Sequence, residues 1–341
     1  MTHYRIALLG FGNVGQAFVR LLQRKKFLLL KKHELSFSVT GIATRRHGMA
    51  IDQEEIDLER ALQLITADSK LDVLSIGSLV ADPIEFIRSC GADVLFENTP
   101  VNYTDGQPAV DYLRTALQAG MHAITANKGP VVHAYQELTQ LAEKSSRKFF
   151  FESAVMDGAP IFSLFRESLP AADLHGFSGI LNSSTNLILS RMEGGESSKE
   201  AVAYAQSVGI TEADPSGDID GWDAAVKVAA LVTVLMGIPL KPAQVDRSGI
   251  RDLTLEDIQQ ATRQGKRWKL VCTARRESKT VIARVHPELV GADSPLYGVN
   301  RTSSIVTFET DVLPQLSIVE GNPGPETTAY GLLVDFINIT R

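Results

Sequence analysis

The sequence predicts an α/β protein in which a doubly wound parallel sheet is followed by a separate α+β domain. A short apolar run at residues 4–9 leads directly into a glycine-rich turn and then into a helical pattern. Further strand-like runs alternate with helical patterns up to about residue 150, which is typical of a parallel sheet. The composition changes near Phe149, and a chain of 341 residues is long enough for two or three lobes.

Composition and charge narrow the classes of partner. The apolar content of 44% and the charged content of 22% are typical of a globular protein, and the formal net charge is −6. That charge argues against a nucleic acid or an anionic membrane as partner, and no apolar run is long enough to span a bilayer. The two cysteines, Cys90 and Cys272, are far apart and lack metal-ligand spacing, which favours a reducing compartment. We therefore expect a cytoplasmic protein that binds a small molecule.

The glycine-rich turn predicts a dinucleotide site of the Rossmann type, because it stands between a first strand and a helix. The first glycine of such a triplet allows a tight turn, the second lets the backbone approach a pyrophosphate, and the third allows close packing of helix and strand. The N-terminus of the helix then offers N–H groups to the phosphates. The residues expected to contact the cofactor here are Gly10, Phe11, Gly12, Asn13, Val14 and Gly15.

The end of the second strand pattern, at residues 37–43, bears on the choice of cofactor. An NAD site would usually have an acidic residue here to bind the ribose 2′-hydroxyl. This chain has Thr44, Arg45 and Arg46 instead. Because guanidinium groups bind phosphate in a bidentate manner, the sequence favours NADP, with NAD still possible. The alternative for each arginine is a solvated loop residue.

Ligands of a parallel sheet bind at the carboxyl ends of its strands. Lys128 follows one of the later strand-like runs at once, so we expect it where nicotinamide and substrate meet. A lone lysine in this place could also be a solvated loop residue. These later runs are residues 73–76, 94–97 and 122–125, and Asn98, Thr99 and Pro100 after the second of them are expected to contact the cofactor.

The segment at residues 209–227 combines a cluster of acids with a single lysine. Lys227 lies in an apolar helical pattern, four residues after Asp223, so the two side chains share a helix face. A lysine among apolar residues is costly unless a partner stabilises it. An ordinary surface ion pair is the alternative. The five acidic residues of the segment are Glu212, Asp214, Asp218, Asp220 and Asp223.

The order of four motifs resembles that of the homoserine dehydrogenase family, over nearly the whole chain. The resemblance implies reversible reduction of L-aspartate 4-semialdehyde to L-homoserine by a nicotinamide cofactor, in threonine and methionine biosynthesis. It also implies a dinucleotide-binding domain at residues 1–150 completed by a helix at 322–341, and a catalytic and dimerisation domain at 151–321 in a homodimer. The motifs are residues 10–15, 125–128, 179–186, and the block from Glu212 to Lys227.

The same resemblance implies roles for single residues. Lys227 matches the general acid/base, and Lys128 would lie beside the aldehyde and the nicotinamide. Glu212 and Asp223 match carboxylates that bind the α-ammonium group of the substrate, whereas Asp214 and Asp218 are expected to be turn and cap residues. Asn182, Ser183 and Thr185 follow a strand pattern and are expected to line the substrate pocket, although such residues also cap helices.

The chain also departs from the family pattern. Ser183 and Ser184 stand where the family more often has Gly-Thr, and Met156 and Asp157 replace a glycine-rich run. Asp157 adds a charge near a turn whose carbonyls bind a monovalent cation in some relatives. The sequence therefore does not decide whether this chain has a metal site. No C-terminal regulatory domain is expected. Two other functions fit less well: another NADP-dependent oxidoreductase of an amino-acid carbonyl, and a non-catalytic NADP sensor.

Overall fold

A computed structural model describes residues 1–77 and 80–341. The chain forms two compact units. The first unit comprises Met1–Pro160 and Gly324–Arg341, and the second comprises Ile161–Pro323. Within the described residues, no helix combines the length and the apolarity needed to cross a membrane.

The first unit is built on a six-stranded sheet of order β3-β2-β1-β4-β5-β6. All neighbouring strands are parallel except β3, which runs antiparallel to β2 at the edge. The strand order reverses between β1 and β4, and such a reversal is where a doubly wound sheet binds its ligand. The strands are β1 (Thr2–Leu9), β2 (Leu35–Ala43), β3 (Met49–Ile51), β4 (Val94–Glu97), β5 (His122–Thr125) and β6 (Phe149–Phe150).

Helices connect these strands as the alternating pattern predicts, which confirms the doubly wound fold. The long first helix begins directly after the glycine-rich turn and ends with three basic residues in its last turn, where they complement the helix dipole. The helices are α1 (Asn13–His33), α2 (Leu58–Thr66), α3 (Pro83–Ser89), α4 (Ala109–Gln118), α5 (Lys128–His133) and α6 (Tyr135–Lys144).

One predicted strand of this unit is wrong. Residues 73–76 do not join the sheet: Asp72–Leu74 form a single 3₁₀ turn, and the Val73 and Ile76 side chains are largely exposed. The position beside β2 is already taken by β3, whose Ile51 carbonyl accepts a hydrogen bond from the Ile76 amide. A run of four residues with only three apolar side chains is too short to distinguish a strand from a turn.

The second unit contains another six-stranded sheet, of order β12-β11-β7-β9-β10-β8. Its pairs are antiparallel apart from the short β8, which is parallel to β10. This mixed sheet with its helices confirms the expected α+β second domain. The strands are β7 (Leu174–Ile180), β8 (Asp246–Arg247), β9 (Arg267–Glu277), β10 (Thr280–Val290), β11 (Ser304–Thr310) and β12 (Leu316–Glu320).

One helix of this unit is apolar around its whole circumference and is therefore buried. Residues 224–226 and 228–232 of α10 (Trp222–Leu235) have no exposed surface, and their small Ala and Val side chains let the helix pack closely on the sheet. Lys227 interrupts this apolar run. The other helices of the unit are α7 (Ser183–Glu193), α8 (Ser198–Ser207), α9 (Ser216–Ile219) and α11 (Leu255–Arg263).

A second lysine of this unit, Lys269 in β9, is fully buried. Its Nζ donates hydrogen bonds to Asn186 Oδ1 at 3.0 Å and to the Val299 carbonyl at 2.6 Å. Asn186 lies in α7, and its amide nitrogen donates to the carbonyls of Val299 and Ser303. This buried polar cluster therefore holds α7 to the loop that precedes β11.

The C-terminal helix α12 (Pro325–Asn338) returns to the first unit. Phe336 on α12 is fully buried, with its ring centroid 5.7 Å from that of Phe96 in β4 and 6.4 Å from that of Phe37 in β2. Phe18 on α1 packs on Phe96 at 4.5 Å. Edge-to-face and tilted aromatic pairs of this kind add to the stabilisation from apolar burial.

Candidate active site

The glycine-rich turn has the geometry of an anion-binding loop. Gly10 has a φ of +97°, and a Cβ at this position would lie 2.4 Å from the Asn98 carbonyl oxygen. A Cβ on Gly15 would lie 2.6 Å from the Gly10 carbonyl oxygen, whereas a Cβ on Gly12 would meet no atom within 4 Å. The first and third glycines therefore allow close packing, and the second leaves open space above the backbone.

The start of α1 is also suited to an anion. Gly12 is its N-cap residue, so no side chain caps the first turn. The N–H groups of that turn include those of Asn13, Val14 and Gly15, and they keep their capacity to bind phosphate oxygens. Phe11 is buried beneath the turn. These observations fit the dinucleotide that the sequence predicts.

Asn98, directly after β4, adds a further observation. Both polar atoms of its side-chain amide are buried, and neither has a hydrogen-bond partner within residues 1–77 and 80–341. Its backbone N–H donates to the Leu9 carbonyl at 2.7 Å, which holds the ends of β1 and β4 together. A buried amide without a partner is costly, so this side chain fits a site that a ligand completes.

A buried hydrogen-bond network links the carboxyl ends of β4 and β5. The Glu97 carboxylate is fully buried and accepts hydrogen bonds from the Thr125 hydroxyl at 2.7 Å and from the backbone N–H and hydroxyl of Thr99. Burial raises the pKa of Glu97. The Asn127 side chain donates to the Thr99 carbonyl at 3.2 Å and caps α5 by accepting from Gly129. No role was predicted for Glu97 from the sequence.

Lys128 is the first residue of α5 and follows this network at once. Its side chain is half-buried. The capped N-terminus of α5 and the network beneath it fix the backbone at Lys128 beside the end of β5. Thr99 and Pro100, both predicted to contact the cofactor, are tied to the same network, since the Asn127 amide also lies 3.5 Å from the Pro100 carbonyl.

The arginine-containing turn after β2 is stabilised by Thr44. Its hydroxyl donates to the Gly48 carbonyl at 3.1 Å and accepts from the His47 N–H at 2.7 Å. Arg45 is exposed. Arg46 is also exposed but forms an ion pair with Asp68, with 2.9 Å between the guanidinium nitrogen and the carboxylate oxygen. The role of Asp68 was not predicted from the sequence.

In the second unit, the side-chain amide of Asn182 organises the acidic segment. Its Oδ1 accepts from the backbone N–H of Thr185 at 2.7 Å and so caps α7. Its Nδ2 donates to Asp218 at 2.7 Å and to Asp223 at 2.9 Å. A single amide therefore brings together the start of α7, the short α9 and the first turn of α10.

The ammonium group of Lys227 lies beside these carboxylates. Its Nζ is 3.0 Å from Asp223 Oδ2 and donates to the Leu181 carbonyl at 2.7 Å. Only 16% of the Lys227 side chain and 6% of the Asp223 side chain are exposed, so the alternative of an ordinary surface ion pair is wrong. A lysine ammonium has three N–H donors. Within residues 1–77 and 80–341, two of them have these oxygen partners.

Asp218 was expected to be a turn or cap residue, but its carboxylate belongs to this cluster. Burial raises its pKa, and the nearby charge of Asp223 raises it further. The Asn182 hydrogen bond and the Lys227 charge act in the opposite direction. A perturbed carboxylate beside a lysine is typical of a functional site.

The other predicted residues of the second unit differ in their contacts. Glu212 is exposed, and Asp214 forms a turn by accepting from the Ser216 N–H at 3.0 Å, as expected. The Ser183 and Ser304 hydroxyls are 3.3 Å apart. Thr185 is fully buried, and its hydroxyl donates to Asn182 Oδ1 at 2.8 Å. Thr185 therefore acts on the cluster through Asn182.

Within the described residues, no group of three or more His, Cys, Asp or Glu side chains is placed to hold a metal ion. The Asp157 carboxylate accepts hydrogen bonds from the hydroxyls of Thr327 at 3.1 Å and Thr328 at 3.0 Å, in the first turn of α12. A carboxylate at a helix N-terminus is stabilised by the helix dipole. Asp157 thus ties its turn to the C-terminal helix.

Two family models match this chain. The family model for the NAD-binding domain of homoserine dehydrogenase matches residues 10–152. The family model for homoserine dehydrogenase itself matches residues 160–337.

Individual relatives match over nearly the full length of this chain. An NAD(+)-dependent homoserine dehydrogenase of Pseudomonas canavaninivorans is 34% identical, over 99% of this chain and 97% of the relative. A homoserine dehydrogenase of Methanocaldococcus jannaschii is also 34% identical, over 98% of each chain. The crystal structure of a homoserine dehydrogenase from Thiobacillus denitrificans matches with a TM-score of 0.84 and 29% identity, covering 100% of this chain and 74% of that one.

A hyperthermophilic archaeal homoserine dehydrogenase in complex with NADPH likewise gives a TM-score of 0.84, with 27% identity over 99% of this chain and 98% of that one. The matches cover the glycine-rich turn, the network after β4 and the lysine–aspartate cluster in one chain. The chain therefore belongs to the homoserine dehydrogenase family, and it is an oxidoreductase that interconverts L-homoserine and L-aspartate 4-semialdehyde with a nicotinamide cofactor.

Proposed function

We propose that Lys227 transfers the proton in this reaction. The observation that carries the proposal is the position of its ammonium group, which Asp223 and the Leu181 carbonyl hold while the described part of the chain leaves one N–H donor for a substrate. In the reductive direction the bound cofactor supplies a hydride to the aldehyde carbon. The carbonyl oxygen then gains negative charge, and Lys227 stabilises this charge and donates the proton that completes the alcohol.

The neighbouring carboxylates bind the α-ammonium group of the amino-acid substrate. Asp218 and Asp223 share the Asn182 amide, so two carboxylates lie close together here. A second cation would therefore be stabilised next to them, and Glu212 on the preceding loop adds a further carboxylate. Asn182 and Ser183 supply polar groups at the start of α7, and Thr185 holds Asn182 in place.

Lys128 is the second catalytic lysine of this proposal. It lies at the carboxyl end of β5, where a doubly wound sheet binds its ligand, and the Glu97–Asn127 network fixes the adjoining backbone. A cation in this position stabilises negative charge on the substrate oxygen.

NADP is the preferred cofactor in this proposal, bound by Arg45 and Arg46 through its 2′-phosphate. Both guanidinium groups are exposed on the turn after β2, with Thr44 fixing the turn. No acidic residue stands at the end of β2 to bind a ribose 2′-hydroxyl. The archaeal relative is described in complex with NADPH, whereas the Pseudomonas canavaninivorans relative is named as NAD(+)-dependent.

We further propose that two copies of the chain associate through the sheet of the second unit. One face of this sheet carries an open groove of 730 Å³. Two apolar side chains on β10 and the edge strand β12 are exposed, Ile282 by 41% and Val319 by 62%. An exposed edge strand with apolar side chains is a ready surface for a symmetric partner.

The proposed compartment is the cytoplasm. Cys90 and Cys272 are both buried and unpaired. Burial raises the pKa of the Cys90 thiol to about 11 and that of Cys272 to about 12, so both remain protonated and unreactive. Buried thiols without disulfide partners are typical of a protein from a reducing compartment.

Replacement of Lys227 by alanine is expected to lower kcat by roughly 10²- to 10⁴-fold, the usual contribution of a positioned acid or base. The dissociation constant for NADPH should stay unchanged, because the glycine-rich turn is intact. Steady-state kinetics and a fluorescence titration with NADPH measure the two quantities. Lys279→Ala, at an exposed turn between β9 and β10, is the matched control and should keep wild-type turnover. Near-normal turnover of Lys227→Ala would remove Lys227 from the mechanism.

Loss of a carboxylate that binds the substrate should raise KM for homoserine. We expect roughly a tenfold increase or more for Asp218→Asn and Glu212→Ala, because hydrogen bonds to charged groups contribute about 1.5–3 kcal/mol. Asp214→Ala is the control from the same loop. Because its pKa is raised, Asp218 takes up a proton at a higher pH than an ordinary aspartate does. On acidification the wild-type KM for homoserine should therefore rise at that higher pH, and Asp218→Asn should not show this rise. Weaker NADPH binding with an unchanged homoserine KM would contradict the assignment.

The double variant Arg45→Ala/Arg46→Ala should lower the ratio of kcat/KM for NADPH to that for NADH by roughly tenfold or more, since charge-assisted hydrogen bonds to the 2′-phosphate are lost. Initial rates of semialdehyde reduction with each cofactor give this ratio. Arg60→Ala, which removes an exposed arginine from α2, should leave it unchanged. An equal ratio in the wild type and the double variant would speak against NADP recognition here.

Sedimentation velocity should give twice the mass of one chain for the wild type. Val319→Asp introduces a charge on β12 and is expected to shift the protein towards the monomer, because a buried charge in the interface is costly. Val208→Asp, at an exposed apolar residue after α8, serves as the control. A wild-type protein that sediments as a monomer at all concentrations would rule out this interface.

A further inference from the structure

An acidic side chain engages both basic residues at the end of the arginine-containing turn. Asp68 follows α2 in a left-handed conformation, with a φ of +52°. Its Oδ2 accepts a hydrogen bond from Arg46 Nη2 at 2.9 Å, and its Oδ1 lies 2.9 Å from His47 Nε2. Each carboxylate oxygen therefore has one basic partner.

This arrangement is the one that a phosphate monoester would also form. A phosphate offers several anionic oxygens to a guanidinium and an imidazole, in the same way that the Asp68 carboxylate does here. A 2′-phosphate would thus need the same N–H donors of Arg46 and His47 that Asp68 already binds. The Lys70 ammonium also donates to the Arg46 carbonyl at 2.8 Å, which fixes the backbone of the turn.

We propose that Asp68 is a specificity-determining residue, because its carboxylate competes with the 2′-phosphate of NADP for Arg46 and His47. This inference rests on the placement of the 2′-phosphate at the arginine-containing turn. An NAD molecule has no 2′-phosphate and does not have to displace Asp68. The carboxylate therefore weakens the binding of NADP but not that of NAD. It narrows the difference in affinity between the two cofactors.

The exposure of the pair sets the size of this penalty. The side chains of Arg46 and Asp68 are 76% and 62% exposed, whereas that of His47 is 15% exposed. An exposed ion pair is weak, so a phosphate dianion displaces the carboxylate at a modest cost. The hydrogen bond from His47 lowers the pKa of Asp68, with the charge of Arg46 acting in the same direction. Asp68 is therefore ionised, and able to compete, at neutral pH.

The test compares Asp68→Asn with the wild type, using NADPH and NADH separately. We expect the KM and the dissociation constant for NADPH to fall roughly two- to fivefold, the range for loss of an exposed ion pair. The values for NADH should not change. Glu59→Gln is the matched control, because it removes one exposed negative charge from α2 without touching Arg46. It should leave both cofactors at wild-type values.

A double-mutant cycle with Arg46→Ala separates competition from a structural effect. If Asp68 acts through Arg46, most of the gain in NADPH affinity should disappear in Asp68→Asn/Arg46→Ala. Unchanged NADPH affinity in Asp68→Asn, or an undiminished gain without Arg46, would overturn the inference. Weaker NADPH binding in Arg46→Ala combined with no effect of Asp68→Asn overturns this inference and leaves the proposed cofactor site intact. Wild-type preference for NADH combined with a gain of NADPH affinity in Asp68→Asn overturns the NADP preference and supports the competition.

Discussion

The acidic segment of the second unit depends on one side-chain amide that donates hydrogen bonds to two carboxylates. Asn182 lies at the end of β7 and donates to both Asp218 and Asp223, which would otherwise repel each other in a poorly solvated place. Lys227 balances part of this charge from the buried helix α10. The start of α7, the short α9 and the first turn of α10 are therefore held together by these hydrogen bonds and this ion pair.

The features that local sequence controls could be predicted. A glycine triplet between a strand and a helix has few other uses, and the spacing of Asp223 and Lys227 places them on one helix face whatever surrounds them. The run at residues 73–76 was misassigned because a segment this short does not distinguish a strand from a turn. In this chain β3 takes the position beside β2.

The features that could not be predicted depend on contacts between distant parts of the chain. Asp218 stands among turn-forming residues, and it becomes buried only because an amide 36 residues earlier meets it. Asp68 is 22 residues from Arg46 in the sequence. It contacts the arginine-containing turn in a left-handed conformation that no sequence pattern predicts. The Glu97 network likewise needs the parallel register of β4 and β5, which brings Thr125 to the carboxylate.

The buried Lys269 that joins β9 to α7 has a consequence for the alkaline range. Burial lowers the pKa of its ammonium from the ordinary 10.5 to about 8. Between these two values the unfolded chain binds a proton at this residue that the folded chain has released. The free energy of unfolding contributed by Lys269 therefore increases as the pH rises from about 8 to 10.5. In mildly basic solution this interior amine makes the native state harder to unfold. A lysine whose pKa is raised by an acidic partner would instead make the native state easier to unfold as the pH rises.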